Sequence, residues 1–414
     1  MAATHKAVTI PGPRVPLTVS DVPTIQPQTG EVLVHVQWAG SSPVDLHQAD
    51  GALFGDDPDQ IPGDTFAGVV AALGPEVSTL KVGDRVMGFA YEKPQYRAQQ
   101  EYVTLPAWLV SPVPANITLP AAATVPSSLV TTFHTVTADL GLPLPWPIPQ
   151  GWVPEHAETP VLVWGGAGSV GIFALQILRH WGYRNVAAVA SSKHHEYLKS
   201  IGAATTFDYN NSDVTDQILA HFEKRGDRPR IPFIFDCIGL LHGTIEPITR
   251  LADSGTRVAI LLPVIVRDAT DTEAPIYEGD VNKCHEGKWA KDVTLRGVRT
   301  HFYAQVSFSE NSLRLPPQID RINADKRFTP AERVLQGSSS ARDHPGGPRA
   351  GHRAAAEAEG RRGRHAVGAR HERTKSPPKQ GGQRREARLE GCGMKGENGS
   401  PSSLFGRSAF YSVA

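Results

Sequence analysis

A cluster of glycines in the middle of the chain has the spacing of a phosphate-binding turn. Residues 161–182 read VLVWGGAGSVGIFALQILRHWG, in which an apolar run is followed by Gly166, Ala167, Gly168, Ser169, Val170 and Gly171 and then by a run with helical spacing. In a G-x-G-x-x-G turn the first glycine permits a tight bend, the second lets backbone approach a pyrophosphate, and the third lets helix pack on strand. A strand–helix turn without a ligand is the alternative. The strand–helix series that starts here favours a dinucleotide site.

The end of the next strand indicates which dinucleotide binds. An NAD site usually carries Asp or Glu there, to accept a hydrogen bond from the ribose 2′-hydroxyl. This strand ends instead in Ser191, Ser192, Lys193 and His194. Two hydroxyls, an ammonium and an imidazole suit the additional phosphate of NADP, so the sequence predicts NADPH as the cofactor. Alternatively, Ser191 or Ser192 caps the following helix while Lys193 is solvated, and the two interpretations are compatible.

These residues require a parallel sheet to position them. From Val161 onward, candidate strands alternate with the helical stretches SVGIFALQILRHW and DVTDQILAHFEKR, which predicts βαβ units of a doubly wound Rossmann fold. The candidate strands are 161–164, 186–190, 205–208, 231–236 and 256–262. Over the first ~125 residues, alternating apolar runs closed by Gly and Pro predict a small β-barrel instead. The Pro-rich segment 142–160 is expected to be a loop.

The bulk composition excludes several classes of function. The 414 residues carry a formal net charge of zero, so no nucleic-acid partner is indicated. No apolar run reaches the ~18 residues that a membrane span needs, and no signal peptide is seen at the N-terminus. The 3 cysteines lie far apart in sequence, which argues against a disulfide framework. A cytoplasmic location is therefore expected, and nothing indicates an oligomeric state.

Together these features resemble the medium-chain dehydrogenase/reductase superfamily. The matching segments cover residues ~5 to ~300 and are more specific as a set than singly. They are GEVLVHV, PVD at 43–45, PGDTFAGVV at 62–70, VGDRVMGF at 82–89, GGAGSVG at 165–171, FDY at 207–209 and DCIG at 236–239. The resemblance implies an α/β protein with a GroES-like β-barrel domain at 1–126 and a Rossmann NADP-binding domain at 127–310, followed by a partial return segment at 311–336.

The resemblance also assigns expected contacts to individual residues. The nicotinamide half of the cofactor is expected near Pro43, Val44, Asp45 and Leu46, and the pyrophosphate near residues 166–170. Residues 191–194 and Tyr209 are expected at the 2′-phosphate, although Tyr209 could equally be a half-buried tyrosine at a strand end. The residues expected to border the substrate are Thr131, Thr132, Phe133 and His134.

No metal is expected. Zinc-dependent members carry Cys near Ser42 and Gly-His-Glu where this chain has Gly63, Asp64 and Thr65. A catalytic zinc needs about three strong ligands, and Asp64 alone does not supply them. Asp64 is interpreted as a turn residue after Pro62 and Gly63. The segment 91–101, where relatives hold a structural zinc, contains no cysteine.

Among zinc-free members, the chain is most similar to fungal trans-acting enoyl reductases, which partner a polyketide synthase and its acyl carrier protein. The resemblance implies hydride transfer from NADPH to an α,β-unsaturated thioester, with Thr131 and Thr132 as candidate donors to the developing oxyanion. No proton donor is identified, since His134 in an apolar helix is more typical of a structural histidine. A zinc-free quinone or enone reductase, or a catalytically impaired NADPH-binding protein, are the alternatives.

The last part of the chain differs from the rest in amino-acid composition. Residues 337–414 are dominated by Gly, Ala, Arg, Pro, Ser and His up to residue 400, which predicts a disordered tail. A basic arm that binds a partner is the functional alternative. Because the family resemblance ends after AERVLQG, a third hypothesis is a frameshift or mis-spliced exon, which the coding DNA read in its other frames would test.

Overall fold

Short antiparallel strands build the first part of the protein. The computed structural model describes residues 3–55, 57–223, 226 and 228–305. The first elements are β1 (Thr4–Thr9), β2 (Thr18–Pro23), β3 (Glu31–Gly40), α1 (Pro43–Gly51), β4 (Thr65–Leu73), β5 (Arg85–Phe89), β6 (Tyr102–Pro106) and β7 (Val110–Pro112). Five of these strands form one antiparallel sheet in the order β6-β3-β4-β5-β7, and β1 pairs with β2.

The alternation of apolar and polar residues in this region corresponds to a sheet with one face packed in the core of the barrel domain. Val32, Val34, Phe66, Val86 and Val103 are buried together in the core of the barrel domain. Prolines and glycines close the strands, as expected for short strands joined by turns.

Two helices connect the barrel to the second domain. These are α2 (Leu119–Ala123) and α3 (Pro126–His134), and a single π-helical turn, Thr135–Asp139, continues α3. The Pro-rich segment that follows has no regular secondary structure over most of its length, as predicted, and it packs on the next domain. Trp152 Nε1 donates to the Trp181 carbonyl over 3.2 Å, and Trp181 Nε1 donates to the Pro145 carbonyl over 3.0 Å.

The second domain is a parallel sheet with helices between its strands. Its elements are β8 (Val161–Trp164), α4 (Ser169–His180), β9 (Val186–Val189), α5 (His195–Ile201), β10 (Thr205–Phe207), α6 (Val214–Glu223), β11 (Phe233–Asp236), α7 (Glu246–Leu251), β12 (Arg257–Leu261), β13 (Val264–Arg267), β14 (Ile276–Glu278) and β15 (Thr294–Val298). The six-stranded sheet runs β10-β9-β8-β11-β12-β15, and every neighbouring pair is parallel. The predicted α/β class and doubly wound sheet are confirmed.

The helices cover both faces of this sheet, so its strands are buried throughout. All four residues of β8, β9 and β11 are buried, and two apolar clusters lie on the opposite faces. The ends of the five predicted strands differ from those observed by at most two residues. The carboxyl ends of β8, β9, β10 and β11 form the edge at which ligands bind in such sheets.

After β15 the chain returns to the barrel domain in a 3₁₀ turn, Thr300–Gln305. The predicted return segment at 311–336 and the predicted tail at 337–414 lie outside the described residues. Within the described part, no helix is both long enough and apolar enough to cross a lipid bilayer.

Candidate functional site

The glycine turn joins β8 to α4 at the carboxyl edge of the parallel sheet. Gly165, one residue before the G-x-G-x-x-G pattern, has the left-handed φ of +85° and makes the bend that the sequence assigned to Gly166. Gly166 instead lies against β9, because a Cβ there would be 2.9 Å from Ala188 Cβ. Gly171 holds the helix close to the turn, since a Cβ on it would lie 2.4 Å from the Gly165 carbonyl oxygen.

The N-terminus of α4 is open to an anion. Gly168 is the N-cap residue, no side chain caps it, and Gly168 and Ser169 are exposed, while Ala167 and Val170 are partly exposed. The unpaired N–H groups and the partial positive charge of a helix N-terminus fit a pyrophosphate. Residues 166–170 therefore come together where the sequence placed them, at the start of a helix that no side chain closes.

The residues expected at the 2′-phosphate form a 3₁₀ turn, Ser192–His194, beyond β9. Ser191, the N-cap residue of this turn, forms no side-chain cap, and the N-cap residue of α5 is His194 rather than Ser192, so the capping alternative is not supported. Lys193 is exposed, as both interpretations expected. Tyr209 is 53% exposed just after β10, so it is half-buried near a strand end and also accessible to a ligand.

An acidic residue from the neighbouring strand also reaches this turn, and the sequence analysis missed it. Asp208 Oδ2 accepts from the Ser192 backbone N–H over 3.0 Å, and Asp208 Oδ1 accepts from the Asn210 backbone N–H over 2.9 Å. These and the side-chain hydrogen bonds of Ser192 and Asn210 lower the pKa of Asp208 to about 2. Asp208 is thus a carboxylate whose two oxygens already hold the turn in place.

The segment expected near the nicotinamide is the first turn of α1. Asp45 Oδ2 accepts from the Ser42 backbone N–H over 3.0 Å, and Asp45 Oδ1 accepts from the Gly63 N–H over 2.8 Å. Burial and, second, the charge of Asp64 raise the pKa of Asp45 to about 6. Asp45 therefore fixes α1 against the 62–65 loop, while Pro43 and Leu46 are exposed and Val44 is partly exposed.

Asp64 lies in the bend after Gly63, as the turn interpretation expected, but its side chain is buried, which the sequence did not indicate. It is 1% exposed, and His301 Nε2 lies 3.0 Å from its Oδ2 atom. The contact joins the start of β4 to the 3₁₀ turn after β15. Sequence reasoning had no signal for this pair, because the two residues are 237 positions apart and neither belongs to a recognised motif with the other.

The four residues expected at the substrate all lie on α3. Thr132 is 0% exposed and its hydroxyl donates to the Val170 carbonyl over 3.2 Å, so it does not fit the role of an oxyanion donor. The Phe133 ring packs edge-on against Trp181, with 5.1 Å between centroids. Burial and, second, the charge of Arg296 lower the pKa of His134 to about 4, which agrees with a structural histidine. Thr131, also on α3, is 7% exposed and is therefore buried as well.

The residues at the position where zinc-dependent members bind their catalytic zinc do not fit that metal. Asp64 is bonded to His301, and both oxygens of Asp45 accept backbone N–H groups. Across the described residues, the group of three side chains that could hold a metal ion is elsewhere, at His242, Glu246 and His285.

Two family models match the chain. Residues 28–115 match the alcohol dehydrogenase GroES-like domain, and residues 169–261 match the zinc-binding dehydrogenase domain. A solved structure with the same fold is the enoyl reductase CurK, at 18% identity and a TM-score of 0.58, covering 82% of this chain and 91% of that chain. At this identity the likeness concerns the fold alone.

Curated relatives from fungi are more similar in sequence. Trans-enoyl reductase tazE of Aspergillus terreus is 35% identical over 238 residues, which are 55% of this chain and 75% of that protein. Trans-enoyl reductase tndF of Aspergillus flavipes is 33% identical over 55% of this chain and 66% of its own length, and himH of Aspergillus japonicus is 32% identical over 50% and 59%. With both domains, the glycine turn and these relatives in agreement, the chain belongs to the medium-chain dehydrogenase/reductase superfamily of oxidoreductases.

Proposed function

We propose that this protein is an NADPH-dependent enoyl reductase that acts in trans on an α,β-unsaturated thioester carried by a polyketide synthase. The observation that carries the reaction class is the 35% identity to a named trans-enoyl reductase over 75% of that protein's length. The chemistry of the site supports it, because the described residues at Asp64 lack the donor set that a carbonyl-polarising zinc requires.

The proposed cofactor follows from two features at the carboxyl edge of the parallel sheet. The open N-terminus of α4 suits the pyrophosphate, and the turn with Lys193 and His194 suits a 2′-phosphate. Asp208 follows β10 and holds the turn through both of its oxygens, whereas an NAD site usually carries its acid at the end of the second strand, which here is β9. Tyr209 is exposed beside the same turn and completes the proposed phosphate pocket.

The proposed substrate lies between the first turn of α1 and helix α3. When bound, NADPH would supply the hydride for the β-carbon, and the site would have to stabilise the negative charge on the thioester oxygen. Residues 43–46 would position the nicotinamide half, and Thr131 would border the substrate. A conjugated thioester needs only positioning and hydrogen-bond donors for this step, which fits a site without a metal. With the proposed domain division at residue 126, α1 belongs to the barrel domain and α3 to the domain of the parallel sheet.

The test is turnover by the full chain on a panel of acceptors. We expect NADPH oxidation with an enoyl thioester on an acyl carrier protein, a lower rate with the same acyl group on free pantetheine, and a higher KM for NADH than for NADPH. Reduction of quinones without reduction of enoyl thioesters would favour the zinc-free quinone reductase instead. Binding of NADPH without turnover on any acceptor would favour a catalytically impaired NADPH-binding protein.

A further inference from the structure

A buried acid–imidazole pair joins the end of the parallel-sheet domain to the barrel domain. His301 Nε2 lies 3.0 Å from Asp64 Oδ2, and the two side chains are 16% and 2% exposed. The other oxygen, Asp64 Oδ1, is buried and has no hydrogen-bond partner among the described residues. A carboxylate in this arrangement fixes the orientation of the ring and stabilises the positive charge that the ring carries when it is protonated.

Three aromatic rings pack close to His301. The centroids of Phe54, Phe89 and Tyr91 lie 5.5, 5.5 and 4.7 Å from that of His301. These contacts, together with Asp64, leave Nδ1 as the polar atom of the ring that has no hydrogen-bond partner in the part of the chain that the structure describes. The ring is therefore fixed in place, with one nitrogen bound and one nitrogen available, which is the arrangement of a general acid.

The pair lies beside the segments proposed to meet the nicotinamide and the substrate. Asp64 directly follows Gly63, whose N–H donates to Asp45 in the first turn of α1 over 2.8 Å. The 3₁₀ turn that carries His301 contacts α3, which carries Thr131. The pair therefore neighbours both α3 and the loop that Asp45 fixes to α1, the two elements proposed to bring the cofactor and the enoyl group together.

We propose that His301 is the proton donor of the enoyl reduction and that Asp64 is its positioning residue. This inference rests on the proposed function. As the hydride arrives at the β-carbon, the electron pair of the double bond moves to form the enolate. The protonated His301 then transfers its Nδ1 proton to the α-carbon, so that a C–H bond forms and an N–H bond breaks. The neutral ring stays bound to Asp64 and is protonated again from solvent.

The other titratable groups around His301 are already engaged. Asp45 on α1 accepts two backbone N–H groups, and the Tyr303 hydroxyl on the same 3₁₀ turn donates to the Phe89 carbonyl over 3.2 Å. The Tyr91 ring has the Arg97 guanidinium 3.5 Å from its centroid, and burial raises the pKa of Tyr91 to about 12. Among these groups, His301 is the one whose Nδ1 proton can be transferred without breaking a hydrogen bond within the described residues.

The test measures which face of the α-carbon receives the proton. The full chain is given NADPH and an α-methyl enoyl thioester in D₂O, and the deuterium at the α-carbon is assigned by NMR. We expect the wild type to deuterate one face. His301→Asn should bind NADPH as the wild type does, lower kcat about 100-fold and deuterate both faces. Asp64→Asn should lower kcat with little change in KM. The matched control is His35→Asn, a histidine of the barrel domain that is exposed and stacks on Tyr102.

Each outcome bears on the proposal. Unchanged kcat and unchanged facial selectivity in His301→Asn would overturn it, as would activity lost on chelation and restored by zinc. If His301→Asn fails to bind NADPH, two other measurements test the proposal: rescue of His301→Ala by added imidazole, and the facial selectivity of Asp64→Asn. Failure of imidazole to restore activity, together with wild-type selectivity in Asp64→Asn, would contradict the proposal. A wild type that oxidises NADPH with quinones and with no enoyl thioester would contradict the proposed function and the inference together.

Discussion

Lys193 is the residue on which the proposed choice between the two nicotinamide dinucleotides depends most. Its side chain is exposed on the Ser192–His194 turn and can reach a phosphate without first breaking a described ion pair. We expect Lys193→Ala to raise the KM for NADPH about 10-fold, since a hydrogen bond to a charged group contributes roughly 1.5 kcal/mol. The KM for NADH should stay within about two-fold of the wild type, because NADH has no phosphate at that position.

Lys199 offers the matched control for this prediction. It lies on the following helix, α5, and forms a 3.2 Å ion pair with Glu196. Lys199→Ala removes the same charge a short distance away and should leave both KM values unchanged. Equal increases in the KM for NADPH with the two variants would show a general effect of charge, and would contradict a specific contact between Lys193 and the 2′-phosphate.

At this scale the sequence indicated residues that act locally and missed those that act across the chain. Gly171 and the exposed turn at Lys193 follow from spacing over ten or twenty residues. Asp208 was missed because its carboxylate reaches the turn from the neighbouring strand. The end of β9 carries no acid, but the site still contains one. His301 was missed for the same reason, as its partner Asp64 lies on another domain.

At the scale of elements, the β8–α4 turn separates the folding role of a glycine from its binding role. A Cβ on Gly171 would lie 2.4 Å from the Gly165 carbonyl oxygen, whereas the nearest atom to a Cβ on Gly168 would be 3.3 Å away. Gly171→Ala should therefore lower the free energy of unfolding by about 2 kcal/mol, since the helix must move away from the strand. Gly168→Ala should change stability little but weaken NADPH binding about 10-fold or more, because the methyl group occupies the approach of the pyrophosphate.

Thermal unfolding and NADPH fluorescence titration measure the two effects separately. Gly12→Ala serves as the control, because the nearest atom to a Cβ on Gly12 would be Val15 Cγ2 at 3.7 Å and no change is expected in either measurement. If Gly168→Ala bound NADPH as tightly as the wild type while remaining folded, the pyrophosphate would not lie at this helix N-terminus.

The positions of strands and helices in the second domain were predictable, because the apolar runs of the strands and the helical periodicity of the helices were both strong there. Strands buried on both faces read as short apolar runs, and α4 buries Ala174, Leu175, Ile177 and Leu178 along one face. The roles of side chains on α3 were less predictable. The family resemblance implied that Thr131 to His134 lie near the substrate, but helix α3 packs on α4, and that packing uses the Thr132 hydroxyl and the Phe133 ring.

At the scale of the whole molecule, a pair of buried titratable groups makes opposing contributions to stability. His134 Nε2 lies 3.8 Å from Asp139 Oδ2, and Arg296 Nε lies 3.6 Å from Asp139 Oδ1. Burial, opposed by the charge of Arg296, raises the pKa of Asp139 from 3.8 to about 7. Burial and the charge of Arg296 lower the pKa of His134 from 6.5 to about 4. Each shift disfavours the charged form of its group in the folded protein.

The signs of the two contributions follow from proton counting. Between pH 3.8 and about 7, folded Asp139 keeps a proton that the unfolded chain has lost, so its contribution makes stability fall as pH rises. Between about 4 and 6.5, folded His134 lacks a proton that the unfolded chain holds, so its contribution makes stability rise with pH. Over the shared range the two slopes, each at most about 1.4 kcal/mol per pH unit, oppose one another.

Single substitutions should therefore tilt the pH profile in opposite directions. We expect the free energy of unfolding of His134→Asn, measured by urea denaturation between about pH 4.5 and 6.5, to fall with pH relative to the wild type. That of Asp139→Asn should rise with pH over the same range, because the contribution of His134 is no longer opposed. The double variant should parallel the wild type, since both titrating groups are gone. Two single variants whose profiles both run parallel to the wild type would show that neither group changes its protonation on folding.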